Sequence, residues 1–165
     1  GHGGIFADSH LTFSQDTRSL SELESHDLLP FDALKLQLGG IMTAHIFFSN
    51  IDKEIATFSK FWLQDILRNK MEFTGTIFSD DLSMKGSDYV GGIEAKVSKA
   101  LESGCNMVLV CNDRSAALEA INFLEKEKIS QSHKVTQLKA SESISWTDLE
   151  KDARRKDIID KLKTI

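Results

Sequence analysis

Apolar positions along the chain follow two alternating rhythms. Ile41–Phe47, Thr76–Phe78 and Met107–Cys111 are short, nearly continuous apolar runs, the pattern of strands covered on both faces. Between and after them, Leu63, Ile66 and Leu67, then Ile93, Val97, Ala100 and Leu101, then Leu118, Ile121 and Leu124 recur at helical spacing. Short strands alternating with amphipathic helices predict an α/β fold built from parallel βα units, here three strands with the helices covering the sheet.

Local chemistry predicts where these elements begin and end. Ser59 and Ser115 are placed to cap helices, and Gly104 suits a positive-φ C-terminal position. Ser19 with Glu22 and Thr147 with Glu150 have capping-box spacing, predicting helices from near Leu20 and near Asp148. Pro30 interrupts the first and predicts a kink or a new helix from around Asp27. The segment 126–145 is polar and aperiodic. Beyond it, a surface helix over 148–163 would turn Leu149, Ala153, Ile159 and Leu162 toward the body. Phe58, Phe61 and Trp62 read as core at a helix start, although such a cluster could also stack a sugar.

Composition narrows the function classes. The 165 residues are 41% hydrophobic and 27% charged with a net charge of −5, as in an ordinary globular domain. Lys and Arg are scattered, which argues against nucleic acid or an anionic membrane as partner, and no apolar run is long enough to cross a bilayer. Cys105 and Cys111 lie too far apart along one predicted strand for a disulfide, which points to a reducing compartment.

In parallel α/β folds the loops after the strands carry the chemistry. His45 follows the first predicted strand, Ser79-Asp80-Asp81 the second and Asn112-Asp113 the third, all on one rim. The acidic pair suits catalysis, metal binding or a plain helix cap. The glycine-rich start, Gly1-His2-Gly3-Gly4, runs on to Asp8-Ser9-His10, in which Asp8 could prepare His10 for proton transfer or simply form a turn. His26 and His133 read as solvent-exposed. Ser9 and Ser79 lack a partner base and a nucleophile elbow, which sets serine chemistry aside.

Taken in order, three segments resemble the bacterial β-N-acetylglucosaminidases of glycoside hydrolase family 3. They are the Gly-His-Gly loop ending in Asp8-Ser9-His10, the nucleophile segment Phe78-Ser79-Asp80-Asp81-Leu82-Ser83-Met84, and Gly104 to Asn112, similar to the last barrel strand. Met42-Thr43-Ala44-His45 and Trp62 to Arg68 also fit. The resemblance implies the C-terminal part of a (β/α)₈ TIM barrel, about three βα units over 1–165 with a C-terminal surface helix over 146–165. It implies Asp80 as nucleophile of a retaining hydrolase, His10 with Asp8 as general acid and base, and His2, His45 and Met84 against the substrate. No metal or cofactor is implied. The implied substrate is a non-reducing-end N-acetylglucosamine of peptidoglycan-derived muropeptides in the cytoplasm.

A complete barrel has eight strands and about 250 residues. The resemblance therefore implies that the N-terminal half lies upstream of Gly1 and that this chain alone is poorly active or inactive. Two rival readings remain: a metal-dependent hydrolase gathering His2, His10, His45, Asp80 and Asp81 around divalent ions, and a non-catalytic half-barrel.

Overall fold

The computed structural model of the chain describes residues 3–5, 14–140 and 142–164. Five short strands alternate with helices: β1 (Ser14–Asp16), α1 (Leu20–Ser25), α2 (Leu29–Leu34), β2 (Gly40–Met42), β3 (Ile46–Phe48), a π-wound helix (Phe61–Lys70), β4 (Thr76–Asp81), α3 (Ile93–Ser103), β5 (Met107–Leu109) and α4 (Arg114–Lys126). Three short helices follow, α5 (His133–Thr136), α6 (Trp146–Lys151) and α7 (Ala153–Leu162). Short 3₁₀ segments stand at Ala56–Phe58 and Lys85–Val90. Among the described residues no helix is long and apolar enough to cross a membrane.

Every strand pairing within the sheets is parallel, as the alternation predicted: β1 with β3, and β2 with β4 with β5. The expected single strand over Ile41–Phe47 is divided. Its first part pairs with β4, Met42 opposite Phe78, and its last part pairs with β1, Ser14 opposite Ile46. The break falls at Thr43-Ala44-His45, where Thr43 N–H still bonds the Phe78 carbonyl (2.9 Å) but the Thr43 and His45 side chains turn to buried polar partners. Polar Ser14-Gln15-Asp16 gave no apolar signal for β1, which is a strand because β3 offers it a ladder. The expected run Met107–Cys111 is strand only to Leu109.

The core lies between β4 and its covering helices. Ile77, Val97 and Ala100 are fully buried, and Leu63, Ile66, Phe58 and Phe73 join them. Burying one such large side chain contributes ~1.5–3 kcal/mol. On α4 the predicted covering residues Leu118 and Ile121 are exposed instead; Ala120 is buried, with Ala116, Phe123 and Leu124 partly so. That set has the same helical period, rotated about the axis, and presents small Ala116 and Ala120 to α3. Phe58 and Trp62 are core, as read from the sequence.

Caps follow side-chain reach. Ser59 Oγ accepts from Trp62 N–H (3.0 Å), and the Ser19–Glu22 capping box is present. Pro30 sits in the first turn of α2, where its missing N–H costs nothing. Gly104 ends α3 at φ 126°. Asp113, not Ser115, caps α4 by accepting from Ala116 N–H (3.0 Å). Ser145, not Thr147, caps α6. The expected surface helix is two helices, because Asp152 leaves helical geometry (ψ 122°) and its side chain caps α7. Ala153 and Leu162 are exposed there, with Leu149 and Ile159 half-buried.

Candidate active site

The site forms where β4 ends. Between Phe78 and Asp81 the β4–β5 register slips, so β4 takes three steps where β5 takes two. Ser79, fully buried, fills the gap by accepting the Leu109 N–H on its Oγ (2.9 Å). The slip releases Asp80 and Asp81 from strict alternation and leaves both half-buried at the rim.

Their carboxylates meet different surroundings. Asp81 Oδ1 accepts from Cys111 N–H (2.9 Å) and Ser83 N–H (2.9 Å), and Ser83 Oγ stands 2.8 Å from both of its oxygens. Burial alone would raise the Asp81 pKa, but these donors, helped by nearby His45, outweigh it and hold the group below the ordinary carboxylate value. Asp81 is an ionised strut tying β4 to the loop after β5. Asp80 Oδ1 accepts only the Asp81 N–H (2.8 Å) among the described residues, and Oδ2 has no described partner. Asp80 therefore keeps acceptor capacity at the rim.

His45 was expected against substrate, but it is 0% exposed. Its Nδ1 lies 2.9 Å from Thr57 Oγ1 and its Nε2 lies 2.9 Å from the Asp81 carbonyl. Burial pushes its pKa below the ordinary imidazole value, the Asp81 carbonyl and the Asp80 charge opposing. A neutral ring with both nitrogens engaged supports the backbone under the site. Gly86 permits this packing: a Cβ there would stand 3.0 Å from His45 Cβ. Met84, also expected against substrate, is buried under the turn and donates its N–H to the Asp81 carbonyl (3.1 Å). Asp8, His10 and His2 lie outside the described residues.

Several site residues escaped the sequence reading. Thr43 Oγ1 accepts the Asp80 N–H (3.0 Å) and meets Thr57 Oγ1 at 2.9 Å. Lys96, buried, donates to the Leu82 carbonyl (3.0 Å) and pairs with Asp88 (2.8 Å), bracing the turn after Asp81. The available signal was a hydroxyl residue inside an apolar strand run, Thr43 within Ile41–Phe47. Arg18 binds Asp16 and Asp27 (2.6 Å each), and a Cβ on Gly3 or Gly4 would come within 3.2 Å of this cluster. The described start of the glycine-rich stretch thus lies against a fixed guanidinium. Beside it an open, mainly apolar cavity of about 540 Å³ is lined by Met42, Ala44, Ile46, Phe48 and Trp62 together with Arg18.

Of the residues proposed as metal ligands, His45 has no nitrogen to spare, and Asp81 Oδ1 already accepts two backbone N–H groups. Among the described residues no three His, Cys, Asp or Glu side chains converge on one point. Cys105 and Cys111 are free thiols; burial pushes Cys105 up to about 12.

Residues 1–140 match the family described as the glycosyl hydrolase family 3 N-terminal domain. A β-hexosaminidase of Idiomarina loihiensis is 43% identical over 158 residues, covering 93% of this chain and 47% of that protein. A β-hexosaminidase of Methylococcus capsulatus is 50% identical over 131 residues, 79% of this chain and 39% of that protein. Among solved structures, NagZ from Neisseria gonorrhoeae in complex with N-trifluoroacetyl-D-glucosamine superposes at TM-score 0.69 with 37% identity, over 83% of this chain and 38% of that one. CbsA from Thermotoga neapolitana gives TM-score 0.70 at 32% identity, over 83% of this chain and 32% of that one. The chain spans less than half the length of these relatives. Its parallel βα units are part of a TIM-barrel-like fold, and the chain belongs to glycosyl hydrolase family 3, within that family's N-terminal domain.

Proposed function

We propose that the protein to which this chain belongs is a retaining glycoside hydrolase that releases β-linked N-acetylglucosamine from non-reducing ends. The observation carrying this reading is the contrast at the end of β4: Asp81 Oδ1 is taken by the N–H groups of Ser83 and Cys111, and Asp80 beside it retains an oxygen with no described partner. Relatives named β-hexosaminidase and a NagZ structure bound to an N-acylglucosamine analogue support the sugar class.

In this reading Asp80 Oδ2 attacks the anomeric carbon, the glycosidic C–O bond breaks, and His10 gives its proton to the leaving oxygen. His10 then takes a proton from water, which attacks the same carbon and displaces Asp80. Two inversions restore the starting configuration. Asp8 would hold the His10 imidazole in the right tautomer and stabilise its cation. His45 stays neutral beneath this site and takes no part in proton transfer.

Muropeptides as substrate, cell-wall recycling and a cytoplasmic setting complete the proposal, and they rest on resemblance to the relatives. Extra barrel strands supplied upstream or by a second chain would pair the edge of β1 that has no partner strand among the described residues and complete the sugar-binding wall. Without them turnover by this chain is expected to be low.

The test is hydrolysis of a chromogenic N-acetyl-β-glucosaminide by the protein carrying its full upstream sequence, beside Asp80→Asn, with and without a chelator. Turnover that survives chelation and disappears in Asp80→Asn supports the reading. Loss of turnover with chelator moves the weight to metal-dependent hydrolysis, and full activity in Asp80→Asn removes the nucleophile.

A further inference from the structure

The outer backbone groups of the Asp80-Asp81 dipeptide are joined by a path of side chains. Asp80 N–H meets Thr43 Oγ1 (3.0 Å), Thr43 Oγ1 meets Thr57 Oγ1 (2.9 Å), Thr57 Oγ1 meets His45 Nδ1 (2.9 Å), and His45 Nε2 meets the Asp81 carbonyl (2.9 Å). Chemistry fixes the direction at both ends, since an amide N–H can only donate and a carbonyl can only accept. His45 Nε2 must therefore carry a proton. With the ring neutral, Nδ1 has only a lone pair to offer and must accept from the Thr57 hydroxyl. Thr57 has then spent its single proton, so Thr43 must donate to it, leaving Thr43 lone pairs for the Asp80 N–H. Each hydroxyl donates once along the path, and each contact has a donor.

We infer that Thr57 and His45 are positioning residues for the Asp80 carboxylate, clamping the Asp80-Asp81 dipeptide at both ends through this one-way loop. The inference rests on the proposed role of Asp80 as nucleophile. The link from clamp to carboxylate is the middle of the dipeptide, where Asp81 N–H orients Asp80 Oδ1 at 2.8 Å. Tilting the Asp80–Asp81 peptide re-aims that donor and with it the attacking oxygen. His45 and Thr57 are both 0% exposed, so they act through the backbone and not by touching a ligand. Gly86 packed on His45 and the Met84 N–H on the same Asp81 carbonyl restrict how far the clamp can relax.

A buried polar group that only satisfied its own hydrogen bonds would alter stability and leave turnover of the folded enzyme unchanged. Thr57→Val keeps the shape and removes the relay hydroxyl; Thr57→Ser keeps the hydroxyl. In the full-length protein, kcat of Thr57→Val is expected to fall roughly 10- to 100-fold with KM within about twofold, and Thr57→Ser to recover most of the loss. Independently of activity, ¹⁵N NMR of the His45 ring at neutral pH is expected to show the Nε2–H tautomer, and the Asp80 amide to exchange slowly in the parent and fast in Thr57→Val.

A folded Thr57→Val with unchanged kcat, or a Thr57→Ser as impaired as Thr57→Val, overturns the positioning role. A His45 ring protonated at Nδ1 overturns the directed loop, and remains decisive if Thr57→Val does not fold. Absence of glycosidase turnover in the parent protein would sink the proposed function instead, and the loop would still be judged by tautomer and amide exchange.

Discussion

Asp80 and Asp81 are neighbours in sequence, yet Asp81 takes the N–H groups of both Ser83 and Cys111 while Asp80 takes only the N–H of Asp81 among the described residues. This asymmetry separates structural from chemical loss. Asp80→Asn should lower glycoside hydrolysis by at least about 10³-fold, the scale on which losing a reacting group acts, with the melting temperature nearly unchanged. Asp81→Asn weakens charge-assisted acceptance from Ser83 and Cys111 and should cost ~1–3 kcal/mol of stability. Denaturant unfolding of both variants checks the split; equal destabilisation would contradict it.

Ser79 supplies a second separation. Its hydroxyl replaces the ladder acceptor that the β4 irregularity withholds from Leu109. Ser79→Ala leaves a buried N–H without an acceptor and should destabilise the protein by ~1–3 kcal/mol. If serine did chemistry here, activity per folded molecule would vanish; the expectation is that folded Ser79→Ala retains most of its turnover.

The sequence was most readable where one physical signal dominated. Apolar runs marked β4 and β5, and period-3.6 faces marked the Phe61–Lys70 helix, α3 and α4. Signals that depend on tertiary partners were silent or misleading. Polar β1 exists because β3 pairs with it, and the rotation of α4 depends on which face is small enough to pack on α3. Caps were misplaced by two residues at Ser115 and Thr147 because a nearby Asp or Ser had equal capping chemistry and better reach.

At the site, the acidic pair was readable as a pair. His45 was expected against the substrate because the family resemblance implies it. Its burial between Thr57 and the Asp81 carbonyl, which braces the backbone, depends on tertiary partners that the sequence does not display. Thr57 was invisible, and Thr43 offered only a hydroxyl in an apolar run, because a hydroxyl gains its meaning from a partner fourteen residues away.

Gly104 closes α3 at φ 126°, a conformation that costs little without a Cβ. A Cβ there would also stand 1.9 Å from Gln64 Nε2, displacing the donor that holds the Ser103 carbonyl at 3.1 Å. Backbone strain and loss of that bond act together. Gly104→Ala should therefore cost about 1–2 kcal/mol or more, read as a lower denaturation midpoint with an unchanged m-value. A neutral or stabilising outcome would mean that the α3 end relaxes freely.

The buried imidazole gives the fold an acid-sensitive element with a defined sign. Burial, set against the Asp81 carbonyl and the Asp80 and Asp81 charges and aided by Lys96, holds the folded His45 pKa below its ordinary value of 6.5. Below 6.5 the unfolded chain takes up a proton that the folded chain refuses, so stability present above that pH is lost as pH falls toward the folded value. Each such proton tilts stability by about 1.4 kcal/mol per pH unit within this window. Asp16, held down chiefly by Arg18, and Asp81 act in a separate window: their contributions are present above 3.8 and fade below it. Melting temperature measured from about pH 8 to about pH 4 should fall once the pH passes below 6.5, before either carboxylate titrates. His45→Gln, whose amide can donate to the same carbonyl and accept from Thr57, should be flatter across that interval whatever its absolute stability. Parallel slopes in the two proteins would show that another group takes up the proton.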